Sequence, residues 1–170
     1  MFEQIDIESL ELNPFTTIGK ENFLITAAAN KSWNTMTGGW GYFGYMWNKP
    51  VCGVVVRPTR YTFQFMQEAS QFTLSFFPPN YEQVLNICGS CSGRDCDKLS
   101  LANLSAVFVE GPDEDWVTFE QANMVFCCSM AAISPFNPKN FLLNEIEEHY
   151  PLKDYHSLYI GFIEKVLVRE

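Results

Sequence analysis

Apolar residues fall into short runs broken by proline, glycine and polar clusters, and the runs carry two periods. Asn22 to Ala29 (NFLITAAA) is a short apolar run that predicts a buried strand, although its length also admits a helical piece. Val51 to Val56 (VCGVVV), bracketed by Pro50 and Pro58, is a β-branched run and predicts a strand buried on both faces. Gln71 to Phe77 (QFTLSFF) alternates apolar and polar residues, which predicts a half-buried strand stopped by Pro78-Pro79. Ala122 to Ile133 is an apolar stretch in which Cys127 and Cys128 act as small hydrophobes, and Leu158 to Val168 predicts a long strand with a central Gly161. Tyr61, Phe65, Met66 and Ala69 recur at helical spacing behind a Thr59 cap. Asn80 and Gln83 read as a capping box ahead of Val84, Leu85 and Ile87. Residues 1–14 form an extended lead-in ending in a turn at Asn13-Pro14. Glu110, Asp113, Glu114 and Asp115 surround a solvated turn at Gly111-Pro112. Pro135 to Tyr150 is a polar, surface or partner-facing connection with acids at Glu145, Glu147 and Glu148. The pattern is mainly β, with at least five strands and a few short helices.

At 170 residues the chain suits a single domain, 1–170, burying roughly 70% of its unfolded surface. Aromatic residues make up 15%, enough for some rings to serve a ligand pocket or a subunit interface besides the core. A net charge of −9 argues against nucleic acid as a partner, because a phosphate backbone is repelled over most of such a surface. No run approaches the ~18 apolar residues of a membrane span, and MFEQIDIESLEL lacks the basic-then-apolar order of a signal peptide. A cytoplasmic location is expected. There, a disulfide framework is not expected and most of the six cysteines are expected as thiols.

The run from Ser32 to Thr62 gathers the unusual glycine and aromatic content. Asn34, Thr35 and Thr37 beside Met36 offer hydrogen bonds to a planar polar ring, the aromatic turn offers a wall, and Arg57 and Arg60 offer cations to a phosphate. A bound flavin mononucleotide requires that mixture. Gly39 to Gly44 fits GxGxxG letter for letter, but aromatics fill the variable positions and Thr59 stands where a dinucleotide fingerprint needs an acid. A twisted strand that lets a backbone or flat ligand come close is the better reading. The Arg57 to Thr62 turn at a helix start is a candidate anion site; simple capping by Thr59 with solvated arginines is the alternative.

Cys88 to Lys98 (CGSCSGRDCDK) holds CxxC and a third cysteine. A structural zinc site needs four ligands, and neither a second CxxC nor a nearby histidine supplies them. The βαβ context of a thioredoxin-like dithiol is missing as well. Glycine, serine, Arg94 and Lys98 make instead a loop that reaches toward an anion, and the roles of Cys88, Cys91 and Cys96 stay open.

In order and spacing, NTMTGGWG (Asn34 to Gly41), VVVRPTRYT (Val54 to Thr62), CGSCSGRDCDK and HSLYIGFI (His156 to Ile163) resemble the flavin reductase-like family of FMN-binding split barrels, the group that contains flavoredoxin. The resemblance implies a six-stranded antiparallel Greek-key split barrel with short helices, a homodimer, and FMN bound noncovalently near the subunit interface. By position it sets Asn34, Thr35, Met36 and Thr37 along the isoalloxazine ring. It sets Arg57, Thr59, Arg60, Tyr61 and Thr62 at the phosphate, with Ser92, Gly93 and Lys98 closing over it. His156 matches a histidine with a role near a nicotinamide and is the one catalytic candidate; a surface or interface histidine is the other reading. The implied activity is an FMN-dependent oxidoreductase passing hydride or electrons from NAD(P)H through FMN to an acceptor. The alternative is an FMN-carrying electron-transfer protein without its own small-molecule substrate, whose acidic surface docks a redox partner. Cys91, Cys96 and the segment Pro135 to Tyr150 depart from the family pattern, so donor and acceptor stay unassigned.

Overall fold

The computed structural model describes residues 1–169. Its strands are β1 (Glu3–Ile5), β2 (Phe23–Ala29), β3 (Ser32–Gly38), β4 (Gly41–Met46), β5 (Lys49–Val56), β6 (Gln71–Phe76), β7 (Ala106–Val109), β8 (Trp116–Phe119), β9 (Met124–Pro135) and β10 (Ser157–Val168). The helices α1 (Pro14–Thr17), α2 (Tyr61–Glu68), α3 (Glu82–Ser90) and α4 (Lys98–Ala102) are all short.

Two tight hairpins begin the sheet. Asn30 and Lys31 join β2 to β3 with φ of 53° and 62°, and Trp47 and Asn48 join β4 to β5 with φ of 52° and 58°. Positive φ at both central residues matches the right-handed twist of the flanking strands. The main sheet is antiparallel and runs β3-β2-β6-β9-β10-β5-β4, with β1 also paired to β10. β3 and β4 are therefore the two ends of the order, yet only Gly39 and Trp40 separate them in sequence. Three residue steps span about 11 Å at most. The sheet has to curl until its ends meet, and among the described residues no ladder closes the seam between them.

The antiparallel, mainly β architecture with short helices agrees with the expectation, but the main sheet has eight strands where the resemblance implied six. The length of β10 explains part of the surplus. Its first half pairs with β5 and its last three residues with β1, while the β4–β5 hairpin supplies an edge strand.

β5 is buried from Val51 to Val54, as its β-branched run predicted. β6 was expected half-buried; all of its residues are buried, because the separate β7–β8 hairpin covers its outer face. Its polar residues are satisfied there: Thr73 Oγ1 donates to the Val117 carbonyl at 2.6 Å, and Ser75 Oγ pairs with Thr118 Oγ1 at 2.8 Å. Alternation on β2 divides two cores, with Phe23, Ile25 and Ala27 in the barrel interior and Leu24 in a layer with Val84, Leu85, Cys88, Trp116 and Phe119.

Several local expectations are corrected. The cap of α2 is Arg60, without a side-chain bond, and Thr59 lies outside it. Pro79–Tyr81 forms a 3₁₀ turn before α3, so the Asn80–Gln83 capping box does not form. The connection after Pro135 folds into 3₁₀ turns at Pro138–Asn140 and Asn144–His149, and it ends on a buried Tyr150 stacked on Phe141. Cys52, Cys88, Cys127 and Cys128 are buried thiols as expected, but Cys91 and Cys96 form a disulfide. Asp95 and Cys96 both donate backbone bonds to the Ser92 carbonyl, and that turn brings the two cysteines back together. Among the described residues no helix is long and apolar enough to cross a membrane.

Candidate functional site

The seam opens into a cleft of about 400 Å³, walled by Met36, Thr37, Trp40, Arg57, Arg60 and His156 among others. That size falls in the range of small-molecule sites. A smaller cavity of about 80 Å³ shares Met36 and Arg60 as walls and is completed by Thr59, Thr62, Cys88, Ser92 and Lys98. A flat group and a compact one can thus be held side by side.

Lys98 dominates the small cavity. It is the first residue of α4, a position set by Asp97, whose carboxylate accepts from the Leu99 and Ser100 amides at 3.1 and 3.2 Å. Its ammonium is buried and donates to the Thr35 carbonyl at 2.6 Å and the Cys88 carbonyl at 3.1 Å. Of three donors, one is left for the cavity. Burial pulls its pKa below the ordinary lysine value, the neighbouring Cys88 opposes that, and the Arg60 charge adds to the lowering. An anion in the cavity relieves both costs. Burial pushes the Cys88 thiol up to about 11, so it stays protonated at neutral pH and is no nucleophile.

The two arginines have different duties. Arg60 Nη1 donates to the Gly89 carbonyl at 2.7 Å, and the arginine lines both cavities. Arg57 makes the only ion pair among the described residues, with Asp154 at 2.9 Å. It also donates to the His149 carbonyl at 2.8 Å and lies 5.0 Å from the Tyr150 ring centre. Arg57, expected at the phosphate, lines the cleft and not the small cavity, and its bonds tie the segment before β10 to the cleft wall.

The β3 residues divide in the same way. Asn34 Nδ2 donates to Thr62 Oγ1 at 2.7 Å, joining β3 to the start of α2, and Met36 walls both cavities. Thr37 lines the cleft while its hydroxyl donates to the Leu85 carbonyl at 2.5 Å. The Thr35 side chain points away, engaged with Thr26 Oγ1 at 2.9 Å and the Ile25 carbonyl at 3.2 Å. Only its carbonyl reaches the site, through Lys98. Tyr61 packs edge-on against Phe65 and carries the Arg94 guanidinium 4.6 Å from its ring centre. Ser92 lines the small cavity, and Gly93 packs so closely on Asn34 that a Cβ there collides with the Asn34 amide oxygen.

His156 is buried, not a surface histidine, and its Nδ1 lies 2.8 Å from the Tyr150 hydroxyl. Burial, aided by Arg57, lowers its pKa to about 4, so the ring is neutral at pH 7 and is not an imidazolium acid. Trp40 leans over it, with ring centres 5.2 Å apart, and meets His149 edge-on at 5.4 Å. The sequence offered the aromatic turn and the NTMTGGWG motif around Trp40 without singling Trp40 out, and nothing local marked Tyr150 or Asp154. Among the described residues no cluster of three metal-ligating side chains occurs.

A sequence profile of the flavin reductase like domain matches residues 17–170. No curated protein matches the chain. Among solved structures, the FMN-binding domain of a flavin reductases-like enzyme from Shewanella baltica OS155 is similar with a TM-score of 0.70 and 16% identity, over 99% of this chain and 77% of that one. Flavoredoxin of Desulfovibrio vulgaris (Miyazaki F) gives a TM-score of 0.67 and 22% identity, over 88% of this chain and 69% of that one. A protein with a split barrel domain from Shewanella frigidimarina NCIMB 400 gives 0.68 and 13%, over 89% and 68%. These likenesses establish the fold.

Proposed function

The chain belongs to the flavin reductase-like domain family, and on that premise we propose that it is an FMN-dependent oxidoreductase, passing hydride or electrons from NAD(P)H to an acceptor. The observation that carries this reading is the buried Lys98 ammonium, held by two carbonyls beside Arg60 in a cavity that adjoins the larger cleft. The residues fit FMN. The small cavity has the donors a phosphate needs, and the cleft has the size and mixed lining a flavin ring needs. When bound, FMN supplies the hydride and electron chemistry. Lys98, Arg60, Thr59, Thr62 and Ser92 bind and neutralise the phosphate. Met36 and Thr37 flank the ring position. Trp40 and the neutral His156 border the cleft mouth, where they shape access for a donor. His156 offers a hydrogen bond there, not an acidic proton.

Purified protein is expected to be yellow, with about one FMN per chain, the stoichiometry of one such site. Rapid mixing with NADH or NADPH is expected to bleach it. Colourless protein that ignores added FMN overturns the reading.

A second reading has its own observation. Glu145, Glu147 and Glu148 are carried by the 3₁₀ turn that ends at His149, whose ring packs on Trp40, so negative charge lies close to the cleft. That arrangement suits an electron carrier docking a basic redox protein. Bleaching by dithionite but not by NAD(P)H selects it. The homodimer implied by the resemblance is tested by light scattering.

A further inference from the structure

We propose that the Cys91–Cys96 disulfide is a reducible latch on the anion cavity, which holds the Ser92 loop closed when oxidised and loosens FMN binding when opened by a dithiol. The proposal rests on the FMN reading for its ligand, but the loop geometry stands independently of it.

Cys91 is the C-cap of α3, its amide donating to the Ile87 carbonyl at 3.0 Å. Cys96 immediately precedes Asp97, the N-cap of α4. The bridge therefore joins the two helices that present the Cys88 carbonyl and the Lys98 ammonium to the cavity. Cys91 and Ser92 are themselves walls of it. Within the loop, Asp95 and Cys96 donate to the Ser92 carbonyl at 2.9 and 3.0 Å. Beyond the bridge, the tip rests on its neighbours through Arg94 over Tyr61 and Gly93 against Asn34. Arg94 N–H also donates to Ser92 Oγ at 3.2 Å, and without the disulfide Ser92 is held by this turn and those tip contacts.

Access separates this pair from the rest. Cys91 and Cys96 are partly exposed, whereas Cys52, Cys88, Cys127 and Cys128 are buried. A dithiol thiolate attacks one sulfur of the bridge to form a mixed disulfide, and its second thiol resolves it. The Cys91–Cys96 bond breaks, the pair takes up two electrons and two protons, and the reductant leaves as its own disulfide. Cys91 lines the small cavity and not the cleft. The bridge therefore controls phosphate capture and does not lie on a path to the ring.

The test uses full-length apoprotein, wild type and Cys96→Ser, with and without dithiothreitol, and thiol alkylation to confirm that the bridge opens. FMN and riboflavin affinities are measured by flavin fluorescence, and trypsin cleavage after Arg94 is followed by mass spectrometry without flavin. Opening the bridge in the wild type is expected to weaken FMN about tenfold, the scale set by freeing a short closed loop, with riboflavin unchanged. Cleavage after Arg94 is expected to accelerate, and Cys96→Ser should behave as reduced protein in both states. Equal FMN affinity before and after confirmed opening overturns the latch. If neither flavin binds in either state, the FMN reading falls, and the latch then stands on faster Arg94 cleavage and falls if the rates are equal.

Discussion

Lys98 and Thr35 lie 63 positions apart in the chain, and the Lys98 ammonium donates to the Thr35 carbonyl at 2.6 Å. The cation is thus positioned by backbone before any ligand arrives, so little ordering remains to be done on binding. Combining Lys98→Met with Arg60→Ala removes the two cations that line the small cavity. FMN affinity is expected to fall at least tenfold to a hundredfold, since a hydrogen bond to a charged group contributes about 1.5–3 kcal/mol. Riboflavin, which lacks the phosphate, should change little. Equal losses for the two flavins in titration contradict the assignment.

Arg57 is expected to behave differently from Arg60. Its guanidinium is occupied by Asp154 and the His149 carbonyl. Arg57→Gln should therefore leave the preference for FMN over riboflavin close to wild type, while loosening residues 149–156. Hydrogen exchange of that segment reads the second effect. A preference that collapses in Arg57→Gln as it does in Arg60→Gln refutes the distinction.

His156 predicts a pH dependence of stability. Its folded pKa is lowered to about 4, chiefly by burial, against about 6.5 in an unfolded chain. Between those values the unfolded chain binds a proton that the folded one refuses, so stability falls as pH drops through that window and levels off below it. The full span is worth roughly 3 kcal/mol. In urea denaturation from pH 7 to 4, wild type should lose stability more steeply with acid than His156→Gln, which lacks the titrating ring. Parallel curves exclude His156 as the source.

Glycine positions separate packing from mere flexibility. A Cβ at Gly161 would sit 2.7 Å from the Phe72 ring and 2.9 Å from Cys128 Cβ, in the middle of the core. Gly161→Ala is expected to cost about 1–3 kcal/mol, the range for overpacking. At Gly44 the nearest atoms lie 3.8 and 4.0 Å away. There Ala should be neutral or stabilise by up to about 1 kcal/mol, because glycine loses more backbone entropy on folding. Flavin affinity should be unchanged in Gly44→Ala. A large loss at Gly44 and none at Gly161, by thermal melting and flavin titration, reverses the assignment.

The sequence by itself determined the strand-rich class, β5 as a doubly buried strand, the failure of the glycine fingerprint and the motif order that points to the family. Those features are local: β-branching, proline stops and short motifs act through backbone sterics and nearest neighbours. Tertiary structure decided the rest. β6 reads as half-buried because its alternation is real, and only the β7–β8 hairpin packed on its outer face makes Thr73 and Ser75 interior. Arg57 and Arg60 are chemically identical in the sequence, and only the approach of Asp154, 97 positions from Arg57, neutralises one of them. His156 is buried because Tyr150 and Trp40 close around it, and Thr35 turns its hydroxyl away because strand pairing sets it opposite Thr26. Each outcome depends on which distant surface covers a residue, and burial and long-range charge pairing exist only once the sheet has curled shut at Gly39 and Trp40.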